Sequence, residues 1–322
     1  MYTIAAYTHT ESEVKEINNL FEVPEYLNRY SMVWLDITRP TREDIDKLGE
    51  IFGFHQLALD DCLHITQRAK VDNYGDYVFL IIKAAEYTDR ASTYQISMFL
   101  GKNYLVTIRE ADEKHLAKPI FEKIALKNQT VVKNGGDYVV YLLIDHIVDD
   151  YFPIFDRIDD EIEEIERNIV ENLSKDSIND VFRLKRQVLV LRKAIFPTME
   201  MILCIQRGDL PHISKKTLLF FSDVYDHAAE VVDLLETSRE LISGAIDLYM
   251  SKTQNTINEV AKMFAMFAII LMWPTVIGAL YGMNFEFPEK KWFGDYAYFF
   301  ALALMAVLMT VTWIYFKIKR WV

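Results

Sequence analysis

Short apolar runs dominate the first third of the chain. Tyr2–Tyr7, Met32–Thr38, Tyr77–Tyr87 and Tyr94–Arg109 are rich in β-branched and aromatic residues, which predicts strands, the last run breaking in a hairpin-like turn at Gly101–Asn103. Between them Thr41–Phe52 has helical spacing, with Thr41 as N-cap and Asp44 three residues on. This mixture predicts a compact α/β domain over residues 1–135. After Gly135–Gly136 the strand pattern stops. Asp137–Glu171, Asp176–Gln206 and the chain from Ser214 onward repeat apolar residues every three to four positions, as one face of a helix does. Turn residues at Asn172–Ser177 and Arg207–Ser214 separate these segments. From Lys215 to Tyr281 the one strong breaker is Pro274, so a single helix about 100 Å long is expected at 1.5 Å per residue.

Two stretches lose their polar face altogether. Met263–Phe285 and Tyr296–Phe316 contain no charged residue, and each reaches the roughly 20 apolar residues that cross a bilayer core. The alternative, two buried helices of a soluble fold, would have to enclose both runs around a ten-residue polar loop. Lys252 and Lys262 precede the first stretch, and Lys317, Lys319 and Arg320 follow the second, which places both flanks in the cytoplasm. The expected organisation is thus a cytoplasmic α/β domain, a helical stalk over 136–262, a first span over 263–285, an external loop over 286–295, a second span over 296–316 and a basic tail over 317–322. Trp292 and Trp321 sit where interfacial anchors belong, so membrane lipids are expected neighbours.

Charge narrows the partners. Asp+Glu outnumber Lys+Arg 47 to 35, a net −12 that argues against nucleic acid as a partner. Two cysteines, Cys62 and Cys204, form no disulfide framework or zinc spacing, and their reduced state suits the cytoplasm. The N-terminus lacks the pattern of a signal peptide. Asp156–Glu166, DRIDDEIEEIE, is either a solvated acidic helix face or a loose holder of hydrated divalent cations through hard carboxylate oxygens.

One register runs along the long helix. Alternating steps of three and four give Asp226, Glu230, Asp233, Thr237, Glu240, Gly244 and Asp247, then Ser251, Gln254, Asn258, Ala261, Ala265, Ala268, Met272, Thr275, Ala279 and Gly282. A period of 3.5 keeps these residues on one face of a slightly supercoiled helix. An acidic stripe alone reads as a solvated face, and small residues in a membrane helix alone read as tight packing. A ring of identical helices around a wet axis accounts for both halves at once. Two spans per chain cannot enclose a path, so that reading requires a homo-oligomer, with Asp247 as the last carboxylate ring before the membrane.

Tyr281-Gly282-Met283-Asn284-Phe285, at the outer end of the first of two C-terminal spans, resembles the CorA family of divalent-cation transporters. The likeness extends from about residue 30. It includes Gln67-Arg68-Ala69-Lys70-Val71-Asp72 with Tyr77-Val78-Phe79, then Val148-Asp149-Asp150-Tyr151-Phe152 and Asp159-Asp160-Glu161-Ile162. Leu191-Arg192-Lys193 and Asp223-Val224-Tyr225-Asp226-His227 match later helices of the family. The resemblance implies an α+β membrane protein forming a funnel-shaped homopentamer, with the first spans lining a Mg2+ pore. It implies a selectivity filter at Gly282, Met283 and Asn284, pore-lining roles for Asn258, Met272 and Thr275, and an acidic ring at Asp247. Asp61 and Asp223, helped by Asp60, match the positions at which the family senses cytoplasmic Mg2+ between subunits. The chain departs from the family at the hydrophobic constriction, where Ala261 lies on the seam and Phe264 beside it, so the gate is assigned to Phe264 and Met272. In the loop, the family's Met-Pro-Glu-Leu stands as Phe287-Pro288-Glu289-Lys290, followed by Lys291, and the two lysines cancel much of the loop's negative charge.

No Walker motif is present, and no charge inside either span offers a proton relay. The membrane potential remains, worth about 4.6 kcal/mol per 100 mV for a divalent ion. Transport of Zn2+, Co2+ or Ni2+ by the same fold is the nearest alternative. Borderline metals favour imidazole and thiolate, and the expected pore has neither. A membrane-anchored scaffold without transport is the alternative of another class. An enzyme is not expected, for no HExxH, GxSxG or Cys/His pairing occurs.

Overall fold

A computed structural model describes residues 2–8, 11–110, 114–171, 173, 175–283, 294–319 and 321. Contacts divide the chain into two compact units, Met1–Asn168 with Ser174–Ile246, and Ile169–Leu173 with Asp247–Val322.

The first unit is built on a seven-stranded sheet, β1 (Tyr2–Tyr7), β2 (Ser12–Ile17), β3 (Met32–Thr38), β4 (Lys70–Asn73), β5 (Tyr77–Tyr87), β6 (Ala91–Gly101) and β7 (Tyr104–Arg109). Their order is β2-β1-β3-β7-β6-β5-β4, antiparallel at every pairing except β3 with β7. β1, β3 and β5 have the limits that the apolar pattern predicts. β2 (SEVKEI) and β4 (KVDN) are polar and gave no such signal, and they form the two edges of the sheet. Charged side chains on an edge discourage pairing with another chain, so the strands that are hardest to read are polar for a reason.

Every residue of β3 is buried, because helices cover both faces of the sheet. On one side lie α1 (Val23–Arg29), α2 (Arg42–Phe52) and α3 (Gln56–Leu63), where Ile45, Leu48, Ala58 and Leu59 pack with Leu35, Phe79, Phe99 and Val106. On the other lie α4 (Lys114–Ala125), α6 (Gly136–Asp149) and α8 (Lys175–Gln206), and the ring of Trp34 stacks 4.0 Å from that of Phe121. α5 (Gln129–Asn134) leads into α6. Thr41 and Asp44 make the expected capping box at α2. Gly136 packs closely: a Cβ there would meet Met32 Cε at 2.1 Å, so the methionine side chain would have to move. Charge inside the sheet is paired. Asp36, 2% exposed, accepts from Arg109 Nε at 3.0 Å, Arg109 Nη2 at 2.5 Å and Thr107 Oγ1 at 2.5 Å.

The segment expected as one helix over Asp137–Glu171 is two, α6 and α7 (Phe152–Glu171), separated by a turn at Asp150–Tyr151. Pro153 lacks the N–H that a continuous helix would use, and the fully buried Tyr151 donates its hydroxyl to Lys83 O at 2.8 Å. The acidic run lies on α7. There Glu161 meets Arg183 at 3.3 Å and the Tyr87 hydroxyl, and Asp159 accepts from Ser238 Oγ at 3.0 Å, so two of its carboxylates serve the fold.

α9 runs unbroken from Lys215 to Tyr281, as expected, and passes Pro274. In the first unit it buries Val224, Ala228, Val231, Leu235, Ser238, Ile242 and Ala245, steps of three and four that form a packing seam. In the second unit it lies with α10 (Ala297–Ile318), where Trp273 Nε1 donates to Thr312 Oγ1 at 2.9 Å and Met266, Ile277, Ala301 and Phe316 are buried. α9 and α10 are both long and apolar enough to cross a membrane, and only 11% of each apolar window is buried. Large side chains such as Phe267, Leu271, Phe299 and Val311 face outward, a surface suited to lipid or to partner helices.

Candidate ion pathway and regulatory carboxylates

The register read from the sequence lies on the uncovered side of α9. In the first unit Asp226, Glu230, Asp233, Thr237, Glu240 and Gly244 are all exposed. In the second unit Asp247, Ser251, Gln254, Asn258, Ala261, Ala265, Ala268, Met272, Thr275, Ala279 and Gly282 are exposed as well. The packing seam of each unit falls on other positions of the helix. Within the chain nothing covers this stripe among the described residues.

Its polar members make few commitments. Gln254 Nε2 donates to Asn258 Oδ1 at 3.0 Å, which joins two seam amides one helical turn apart and leaves further donors and acceptors on each. Thr275 Oγ1 donates to Leu271 O at 2.9 Å on the exposed face. Phe264, beside the seam, is 67% exposed, and Met272 is exposed on it. The helix closes with Gly282 N donating to Gly278 O at 2.9 Å and Met283 N to Leu280 O at 3.1 Å. Asn284 and the loop over 286–293 lie outside the described residues.

The carboxylates to which the resemblance assigns a regulatory role occupy two separate places. Asp60 and Asp61 lie in the last turns of α3. Asp61, with its side chain 19% exposed, accepts from Gln67 Nε2 at 2.8 Å on one oxygen and from Lys70 Nζ at 2.8 Å on the other. Lys70 also meets Asp72 at 2.6 Å; its own burial acts to lower its pKa, but the two carboxylates win and hold it above the usual lysine range. Asp61 is thus already paired within the chain. Asp60 is more open, with Gln56 Nε2 at 3.2 Å and Arg42 Nη2 at 3.6 Å.

Asp223 is exposed on α9, where it faces α6 rather than α3. Asp145 and Asp149 stand one turn apart on α6, and His227 one turn after Asp223 on α9. Ligand atoms of Asp145, Asp149 and His227 lie within 4.8 Å of one another. His227 Nδ1 is 3.3 Å from Asp149 Oδ1 without the geometry of a hydrogen bond. Burial pushes the Asp145 carboxyl above its ordinary range, and the charges of Asp149 and Asp223 push it further. Two carboxylates and an imidazole at this spacing could hold a divalent cation. The sequence reading did not single out Asp145, Asp149 or His227 as ligands. The i, i+4 pair on α6 was a signal, but nothing local says that it faces His227.

A family profile described as CorA-like Mg2+ transporter protein matches residues 30–320. The chain belongs to the CorA family. The cobalt/magnesium transport protein CorA of Thermotoga maritima is 38% identical over 293 residues, covering 89% of this chain and 83% of that one. YfjQ of Bacillus subtilis is 32% identical over 289 residues, covering 89% of each. The complete structure of the CorA magnesium transporter from Methanocaldococcus jannaschii superposes with a TM-score of 0.85 at 21% identity, over 100% of this chain and 99% of that one. This CorA fold is therefore present from the edge strands to the second apolar helix.

Proposed function

We propose that the chain is one subunit of a homopentameric channel that admits Mg2+ into the cytoplasm, driven by the membrane potential. The observation that carries this reading is the single exposed register on α9, acidic and amide-bearing before the apolar stretch and small-residued within it. Five such stripes facing one axis would concentrate cations at Asp247. They would then pass the ion between Asn258 and Thr275 oxygens, with Phe264 and Met272 as the apolar constriction. Gly282, Met283 and Asn284 form the outer filter. Mg2+ sheds water reluctantly, so an amide ring that hydrogen-bonds the hydrated ion fits it better than ligands that demand dehydration.

Cytoplasmic Mg2+ closes the channel. Asp61 lies on α3 at one face of the sheet and Asp223 lies beside α6 at the other, so the reading places Asp61, with Asp60 beside it, against Asp223 of a neighbouring subunit. Lys70 then acts as a built-in rival for the metal: it neutralises Asp61 when Mg2+ is scarce and is displaced when Mg2+ is abundant. The Asp145, Asp149 and His227 cluster adds negative potential around Asp223.

Purified protein in liposomes should carry Mg2+ inward under an inside-negative potential, and Asn284→Ala should abolish that flux with the oligomer intact. Retained flux in the variant removes the filter assignment. A panel of Mg2+, Co2+, Ni2+ and Zn2+ in the same assay orders the ions, and a scaffold would move none of them.

A further inference from the structure

A pocket of about 700 Å³ opens in the first unit between α8, strands β5 and β6, and the loop that follows α3. Its wall holds Arg68, Lys83, Arg192 and Lys193, and no carboxylate lines it among the described residues. In a chain of net charge −12 this is an unusual concentration of one sign. The four cations are poorly compensated. Arg68 meets Glu200 at 3.7 Å, but both side chains are largely exposed and such a pair is weak. Lys83 donates to two neutral acceptors, Ile65 O and Gln95 Oε1, and burial lowers its pKa although Glu110 acts the other way. Arg192 lies over the Phe196 ring at 5.2 Å. Lys193 has no carboxylate within 4 Å among the described residues.

Lys83 and Arg192 are half-buried and Arg68 and Lys193 exposed, and together they give the wall a positive potential that favours an entering anion. The volume exceeds what a single small oxyanion needs and lies within the range of ligand-sized sites. Guanidinium forks and ammonium groups together recognise phosphate oxygens. The apolar part of the wall, Phe196 with Val190 and Pro197, offers a seat for an aromatic ring. The pocket is also wired to a regulatory carboxylate, because Gln67, which lines it, donates to Asp61.

We propose that this pocket binds a phosphate-chain anion, a nucleoside polyphosphate or inorganic pyrophosphate, through Arg68, Lys83, Arg192 and Lys193, and that its occupancy tightens divalent-cation binding at Asp61. The added negative charge, and the withdrawal of Gln67 from Asp61, both act in that direction. Coupling is reciprocal, so the metal strengthens the anion in turn. The second half rests on the channel reading above, whereas the binding itself does not.

Full-length protein in lipid nanodiscs, held in EDTA, is titrated calorimetrically with pyrophosphate and with ATP. Wild type should bind, and R192Q/K193Q should weaken binding at least tenfold with an unchanged elution volume. R68Q, on the other wall, should weaken it independently. ATP tenfold tighter than pyrophosphate assigns a nucleotide with its base against Phe196; equal affinities assign the phosphate chain alone. Absence of binding at millimolar anion, or equal affinity in wild type and R192Q/K193Q, overturns the proposal. In liposomes with buffered free Mg2+, luminal pyrophosphate on the cytoplasmic side should lower the closing Mg2+ concentration severalfold in wild type and not in R192Q/K193Q. An unchanged closing concentration overturns the coupling, while persisting flux leaves the channel reading standing.

Discussion

At Asp61 two claims meet on one carboxylate. Lys70 and Gln67 occupy both oxygens within the chain, yet the proposed sensing needs them for Mg2+. Both can hold if Lys70 competes with the ion, since a salt bridge that is one-third exposed on the lysine side is modest and exchangeable. Removing the rival should favour the metal. Lys70→Met is expected to lower the Mg2+ concentration that closes the channel severalfold, measured as flux against buffered internal Mg2+; closure at an unchanged or higher concentration contradicts the competition. The Gln-Arg-Ala-Lys segment was readable as a resemblance, but the identity of the group that Lys70 neutralises was not. That pairing spans the turn between α3 and β4, whose path no local periodicity encodes. The Asp145, Asp149 and His227 cluster was hidden in the same way, because it needs α6 and α9 side by side.

Among the elements, α9 was the most legible. Its limits, its passage through Pro274 and its outward stripe all follow from an i, i+3, i+4 rhythm that a helix imposes locally. The rhythm also argues that the stripe meets copies of itself. With Cys204→Ser to remove the exposed native thiol, Gln254→Cys should form disulfide-linked dimers on mild oxidation, while Thr256→Cys, on the far side of the same turn, should not. Equal cross-linking at both positions would count against a shared axis. β2 and β4 were illegible for the opposite reason. Their residues are mostly half-buried or exposed at the edges of the sheet, so polarity removes the signal that a buried strand displays. The α6–α7 break was hidden because its turn keeps apolar residues in helical spacing on both sides.

For the whole molecule the proposed coupling is between subunits. If Mg2+ bridges Asp61 to Asp223 of a neighbour and holds the ring closed, removing either carboxylate should leave the channel conducting at millimolar internal Mg2+. Asp61→Ala and Asp223→Ala are each expected to do so in the liposome assay with the oligomer assembled, and normal closure in both variants rules out the bridge. The amino-acid sequence alone determined the two apolar spans, the single long helix and the stripe upon it, since each depends on run length or on residues a few positions apart. Tertiary structure decided which strands take the edges, which base neutralises Asp61, which histidine joins the α6 carboxylates and where four cations share one wall. Those features pair residues far apart in the chain, and only the packing of the sheet against its helices brings them within reach of one another.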